Sequence, residues 1–368
     1  MKVPFNYLPQ QFKNNNIFFS EWKKLIKSCE FTLGPFVKKF ENKFAKFIKV
    51  KHCISTNNGT DALILAMKSL GVKKDDEVIT ACNSFYASVG AIVACGAKPI
   101  FVDCDDSYQI NVDQIEKVIT KKSKIILPVH WAGASPDMYK IMKIARKYNL
   151  KVVEDACMSI GAKIGNKKPG SFGHVNAFSM HPLKSLNVMG DGGMVVTNDD
   201  KIALWLKRYR NHGMIDRDHI AYWGVNKRIQ PLQAVVAEIE LKKVNQIVSK
   251  RNKNAKILDK LLSKIKYIKI PKRNFFYKET FALYMTEFRK RDQLKSYLIK
   301  NGIEAKIHYP VPLHLQKPSK KIGYKTGDFP VAERQAKTLL TLPIHQYLNE
   351  KHLNYMFKKI KKFYEKNN

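Results

Sequence analysis

Residues 77–104, EVITACNSFYASVGAIVACGAKPIFVDC, carry the pattern that decides the fold. EVITA is short, apolar and β-branched and reads as a strand. NSFY is a polar loop, ASVGAIVACG a helix closed by glycine, and KPIFVDC a second strand. A strand, a helix and a strand in so few residues form a crossover unit, which joins parallel neighbours. The pattern recurs downstream: VDQIEKVITK is expected as a helix, KIILPVH as a strand, MYKIMKIARKYN as a helix and LKVVEDA as a strand. Upstream, SEWKKLIKSCEF and GPFVKKFENKFAKFI space apolar residues three and four apart, as helices do. HCISTNNGT then ends in a polar glycine turn before the helix DALILAMKSLG, Asp61 to Gly71. The order predicts an α/β fold, a mostly parallel sheet covered by helices on both faces with right-handed crossovers.

The texture changes from Lys201. A loop-rich region runs to Gln233, and one long helical run, QAVVAEIELKKVNQIVSKRNKNAKILDKLLSKI, is expected to link two domains. Beyond it, helices alternate with the strands FALYMTEF and IEAKIHY, predicting a smaller α+β domain. The expected division is a large unit over 1–245, including an N-terminal arm, and a small one over 246–368. The tail LNYMFKKIKKFYEK carries an apolar stripe beneath many lysines and reads as a docking terminal helix.

The formal net charge is +35, from 66 Lys plus Arg against 31 Asp plus Glu. Lysine dominates and is spread over nearly every helix. No aromatic and basic residues interleave as a base-stacking platform, so no specific nucleic-acid site is expected. The six cysteines are single and dispersed in apolar surroundings, without the spacing of a metal site, and read as core residues in a reducing compartment. No run approaches the roughly 20 apolar residues that span a bilayer, and MKVPFNYLPQQFKNNN has no apolar leader core; a cytoplasmic protein is expected.

The chemistry centres on residues 179–193, SMHPLKSLNVMGDGG. Lys184 falls on a bend between the strands NAFS and MVVT, where an amine can be fixed, partly desolvated and able to form a Schiff base with a carbonyl. In STNNGT, Gly59 and Thr60 stand at a helix N-terminus, which favours a phosphate; Asp61 as a plain cap is the other reading. Ser179 is a second candidate phosphate contact. Asp155 ends the strand LKVVEDA, where open parallel sheets bind ligands, and its carboxylate can pair with a protonated ring nitrogen, or cap a helix or pair with a cation. Phe85 is placed to stack on a planar ring or to fill the core. His130 lines the pocket or makes a structural hydrogen bond. His181 has no partner readable from spacing. In KIHYPVPLHLQ, prolines constrain a loop bearing His308, Tyr309 and His314, with no acid or cysteine at metal-site spacing. A lysine, an acidic strand end and a phosphate nest together are the attachments of pyridoxal 5'-phosphate. No GxGxxG follows the first strand, which disfavours a nicotinamide cofactor.

These segments, with LGPFVKKFE, NNGTDAL, GAKPIFVD, LPVHWAG, VVEDA, GVNKRIQPLQA and LPIHQYL, resemble in order the DegT/DnrJ/EryC1/StrS family of pyridoxal-phosphate-dependent nucleotide-sugar aminotransferases. The resemblance covers almost the whole chain. It implies the aspartate-aminotransferase fold, fold type I, with a seven-stranded sheet. It implies that Lys184 links to the cofactor, Asp155 contacts the pyridine nitrogen, Phe85 stacks on the ring, and Gly59, Thr60 and Ser179 hold phosphate. Asn226 matches a residue that reaches the cofactor of a neighbouring subunit, so a homodimer is implied. Substrate contacts are expected from His130, His181, Arg228, His308, Tyr309 and His314. Met158 stands where the family commonly has glutamine or histidine beside the cofactor; a thioether packs there without a strong hydrogen bond. The implied reaction moves an amino group from L-glutamate, through pyridoxamine 5'-phosphate, to a nucleotide-linked 3-keto or 4-keto deoxysugar by a ping-pong route. VHWAG leans towards 4-amination and HYPVPLHLQ towards 3-amination. A sugar dehydratase on the same cofactor and a non-catalytic nucleotide-sugar sensor are the alternatives.

Overall fold

A computed structural model describes residues 1–367. Its twelve strands are β1 His52–Thr56, β2 Glu77–Ala81, β3 Lys98–Val102, β4 Ser123–Leu127, β5 Lys151–Asp155, β6 Lys163–Ile164, β7 Val175–Ser179, β8 Gly193–Thr197, β9 Ile268–Lys269, β10 Tyr277–Lys278, β11 Tyr284–Phe288 and β12 Leu339–Leu342. Seven form the central sheet in the order β1-β8-β7-β5-β4-β2-β3. Pairing is parallel from β3 through β2, β4 and β5 to β7, and antiparallel at β7–β8 and β8–β1. Every residue of β7 and β8 is buried, because helices cover both faces and leave no solvent side for polar alternation. One face packs Ile54, Val78, Val153, Ala177 and Val195 with Leu63 of the helix Gly59–Ser69; the other packs Ile79, Phe101, Ile126 and Val152 with Ile141 of the helix Met138–Lys147.

The smaller C-terminal α+β domain has the antiparallel order β12-β11-β9 and a separate core. Into that core the final helix, Glu350–Asn367, inserts Leu353, Met356, Ile360, Phe363 and Tyr364 while its lysines face out. The helix Val244–Leu262 serves both cores: Val244 and Val248 pack with the large one, Ala255, Leu258 and Leu262 with the small one. The N-terminal segment ties them together as well. Val3 bridges to Ile303, and the Gln11 side chain donates to Glu240 and accepts from Asn187.

Five sequence expectations change: the loop-rich region from Lys201 opens with the helix Asp200–Tyr209, Cys29 is exposed and not in the core, and three segments fold differently. The long helical run is two helices, Pro231–Leu241 and Val244–Leu262, and the first packs on Gly34–Ile48 and Asn16–Ser28. VDQIEKV forms a 3-10 turn, Val112–Val118. IEAKIHY makes only single bridges, Ile303 to Val3 and Lys306 to Thr341. Its neighbours there are the N-terminus and β12, in short contacts that do not extend into a ladder.

Candidate active site

The carboxyl ends of β4, β5 and β7 open into a cavity of about 260 Å³, closed on the far side by residues of the small domain and by Phe5 and Tyr7. Its position beyond the strand ends is where parallel sheets gather ligand contacts, because the loops leaving successive strands converge there.

Neighbouring residues of a strand point to opposite faces, and β5 uses this to separate two acids. Glu154 turns away from the cavity and is fully buried: its carboxylate accepts from His130 Nε2 (2.9 Å) and from the N–H groups of Gly170, Phe172 and Gly173. Asp155 turns into the cavity and is held at both oxygens. Ser88 Oγ donates to Oδ2 at 2.7 Å, and the Cys157 N–H donates to Oδ1 at 3.2 Å. A dry carboxylate fixed this way is a preorganised partner for a cationic ring nitrogen.

Lys184 follows β7 on the bend 180–192, and its amine has no hydrogen-bond or ion-pair partner among the described residues. Burial pushes its pKa below the ordinary lysine range, against Cys157 and Asp155, which pull it up. A neutral amine is the nucleophilic form. Its main chain is held as well: the Tyr7 hydroxyl donates to Lys184 O at 3.1 Å.

The helix Gly59–Ser69 begins at the cavity wall. Asn58, not Asp61, is its cap: Asn58 Oδ1 accepts from the Asp61 N–H at 2.8 Å, and the Asp61 carboxylate pairs with Lys227. Glycine at 59 is required by proximity, since a Cβ there would lie 2.7 Å from Ser179 Cβ and 3.2 Å from Cys157 Sγ. At Gly193 a Cβ would lie 2.2 Å from Asn58 O, so β8 must pass bare beneath the same turn. The result is a cradle of backbone N–H groups at Gly59 and Thr60 facing the Ser179 hydroxyl, in the form that takes a phosphate. The phosphate cradle, the fixed Asp155 carboxylate and the free Lys184 amine fit pyridoxal phosphate at three separate points.

Phe85 caps the opposite wall with 47% of its surface open, beside Tyr86 and Tyr309. Met158 lines the cavity in an apolar cluster with Trp131 and Tyr309. His181 sits at the rim; desolvation, then the Lys184 charge, lower its pKa. His308 Nδ1 lies 2.9 Å from Thr341 Oγ1, and burial, Lys306 and Lys184 bring its pKa down to about 4. Both histidines, with Tyr309, are on the cavity wall.

Four expected site residues are elsewhere. His130 is fully buried beneath the site, its two ring nitrogens against Glu154 and Ser135, so it braces β5 rather than meeting a substrate. His314 is also fully buried, against Glu333 (3.0 Å) and the Phe329 ring. Asn226 is exposed and bridges to Asn211, and Arg228 Nη1 donates to Asn211 Oδ1; neither lines this chain's cavity. Sequence reasoning passed over Ser88, Cys157, Tyr7, Arg251, Lys306 and Asp191, which do line it. Ser88 alone left a local trace, one helical turn beyond Phe85.

Comparison with known proteins agrees with this geometry. The sequence profile of the DegT/DnrJ/EryC1/StrS aminotransferase family matches residues 13–361. The chain is 36% identical over 368 residues, 99% of each chain, to a pleiotropic regulatory protein of Geobacillus stearothermophilus. It is 35% identical over 332 residues, 90% of this chain and 89% of the other, to the UDP-N-acetyl-3-dehydro-alpha-D-glucosamine 3-aminotransferase of Acidithiobacillus ferrooxidans. The structure of NtdA from Bacillus subtilis with bound pyridoxamine phosphate superposes with a TM-score of 0.92 at 27% identity, covering 98% of this chain and 85% of that one. The chain belongs to the DegT/DnrJ/EryC1/StrS family of pyridoxal-phosphate-dependent aminotransferases, with fold type I architecture.

Proposed function

We propose that the protein moves an amino group from L-glutamate to a nucleotide-linked 3-keto or 4-keto deoxysugar in a ping-pong cycle, as a homodimer. The observation that carries this reading is the unpartnered Lys184 amine, set between the Asp155 carboxylate and the Gly59–Ser179 cradle in one cavity. Bound there, pyridoxal phosphate supplies an electron sink that acidifies the carbon bearing the nitrogen. The chain's residues do the rest. Asp155 would keep the ring nitrogen protonated by Coulombic attraction, and Ser88 and the Cys157 N–H keep Asp155 aimed. Gly59, Thr60 and Ser179 would hold the phosphate, and Phe85 would stack against the ring. Lys184 Nζ, whose pKa burial lowers, would take the proton from the donor's carbon and return it on the acceptor's side. His181, His308 and Tyr309 are the candidate contacts for the sugar, and Phe85, Trp131 and Tyr309 give the cavity an aromatic wall.

The acceptor class is supported by the UDP-sugar 3-aminotransferase among the relatives. The dimer is supported by Asn226 and Arg228, which lie off this chain's cavity near Trp223, 87% exposed on the same loop. The regulatory name of another relative favours a sensor as the second reading, but a pure sensor has no need of a free, desolvated lysine amine. The test is incubation of the holoenzyme with L-glutamate and a panel of UDP- and dTDP-linked 3-keto and 4-keto sugars, read by mass. Conversion of one carbonyl to an amine with equimolar 2-oxoglutarate is expected; binding of every sugar without conversion refutes the proposal.

A further inference from the structure

Arg251 lies on the cavity wall, only 2% exposed, and has no carboxylate partner among the described residues. Its Nε donates to Gln346 Oε1 at 3.0 Å, Nη2 to the Tyr7 hydroxyl at 2.9 Å, and Nη1 reaches Phe281 O only at 3.5 Å. A guanidinium has five N–H groups, so at least two are without a partner. Two further buried atoms beside it are also unpaired. Gln346 presents its amide to Arg251 through oxygen, which leaves Nε2 free, and His345, a lining residue, uses Nε2 on Pro4 O and leaves Nδ1 free. The Tyr7 ring packs on His345 at 5.3 Å, so these groups form one cluster.

A buried cation without a counter-ion is costly, and buried donors without acceptors add to that cost. The cluster therefore has the composition of a recognition site: a planar cation on the cavity wall with N–H donors to spare. A carboxylate satisfies the donors, and Arg is the side chain whose fork matches it. The site is also close to the chemistry, because the Tyr7 hydroxyl that accepts from Arg251 donates to Lys184 O. We infer that Arg251, held in place by Gln346 and Tyr7, is the subsite for a carboxylate of the amino donor, an assignment that rests on the aminotransferase reading above. Donor recognition would thus come from the same chain as Lys184, through a helix shared by the two cores.

The test uses the holoenzyme and two probes, 2-oxoglutarate in binding titrations and butylamine as an amine donor with no carboxylate. Arg251→Lys keeps the charge and removes the fork. Gln346→Glu supplies an internal carboxylate to Arg251, which fills the subsite while preserving the fold. Both variants are expected to weaken 2-oxoglutarate at least tenfold and raise KM for L-glutamate, while amination of the cofactor by butylamine stays within twofold of wild type. Thermal protection by 2-oxoglutarate should be seen in wild type and lost in Gln346→Glu. Unchanged 2-oxoglutarate affinity in Gln346→Glu, or an equal loss with butylamine, overturns the assignment and leaves Arg251 a structural tie. If the wild type itself is never aminated by glutamate, the function proposed above fails instead, and the two failures are told apart in the same assay.

Discussion

Replacing Ser88 by alanine isolates the one hydrogen bond that fixes Asp155 from its side. The Ser88 hydroxyl is 2.7 Å from Asp155 Oδ2, and the two residues are 1% and 5% exposed, so water cannot readily replace the lost donor. Asp155 Oδ1 keeps the longer 3.2 Å contact from the Cys157 N–H. A hydrogen bond to a charged group contributes about 1.5–3 kcal/mol, which corresponds to roughly a tenfold to hundredfold change in any equilibrium or rate that depends on the Asp155 carboxylate. Ser88→Ala is therefore expected to slow amination of the bound cofactor by L-glutamate about tenfold to hundredfold in single turnover, measured by absorbance. Ser88→Thr, which retains the hydroxyl, should recover most of the rate. The cradle at Gly59 is untouched, so pyridoxal phosphate still loads. A Ser88→Ala enzyme within twofold of wild type, or a Thr variant as slow as the Ala one, would show that Ser88 does not position Asp155.

Gly59→Ala puts a methyl group 2.7 Å from Ser179 Cβ at the phosphate cradle while raising helix propensity. Pyridoxal phosphate affinity should fall at least tenfold without loss of fold; a fluorescence titration decides, and unchanged affinity contradicts the cradle. For pH, burial first, aided by neighbouring cations, holds His308 and His345 near pKa 4 in the fold. A depressed pKa means that the neutral ring's contribution is complete above the ordinary value of about 6.5 and is lost as pH falls towards 4. Each ring then costs about 2.5 kcal/mol by pH 4.5, at about 1.4 kcal/mol per tenfold change in proton affinity. Urea unfolding at pH 7.5 and 4.5 should show a decline that is shallower in His345→Phe; an equal decline contradicts the assignment. For the dimer, Lys184→Ala and Arg228→Ala proteins, each inactive, should regain up to about a quarter of wild-type activity when their subunits are exchanged, since mixed dimers leave one site intact. No recovery, with exchange shown by mass, refutes a shared site.

Much of the site was legible because it is local. Asp155, Ser179 and Gly59 each stand at a strand end or helix start and Lys184 on the bend after β7, and parallel topology brings those ends to one side whatever the packing between them. The misreadings came from direction. His130 also follows a strand, three residues beyond β4, but its ring turns to the same buried network as Glu154, and no spacing distinguishes that from a ring turned to the cavity. His314 lies in the same proline-rich stretch as His308 and Tyr309, yet its ring goes under Phe329. Arg251 and Tyr7 were invisible for a different reason: they are separated by most of the chain and become a pair only when the N-terminal segment crosses between the two cores. The split of the long helical run has no proline or glycine at the break to announce it; its halves answer to different packing surfaces.

One lysine among the chain's many, Lys184, is proposed as the cofactor's attachment. Borohydride reduction of the holoenzyme followed by peptide mapping tests it directly, because the phosphopyridoxyl mass stays on whichever amine carried the cofactor. The account predicts label on the peptide containing Lys184, and none on Lys184→Ala protein that still folds and binds pyridoxal phosphate. Label on another lysine, or undiminished labelling in the variant, contradicts it.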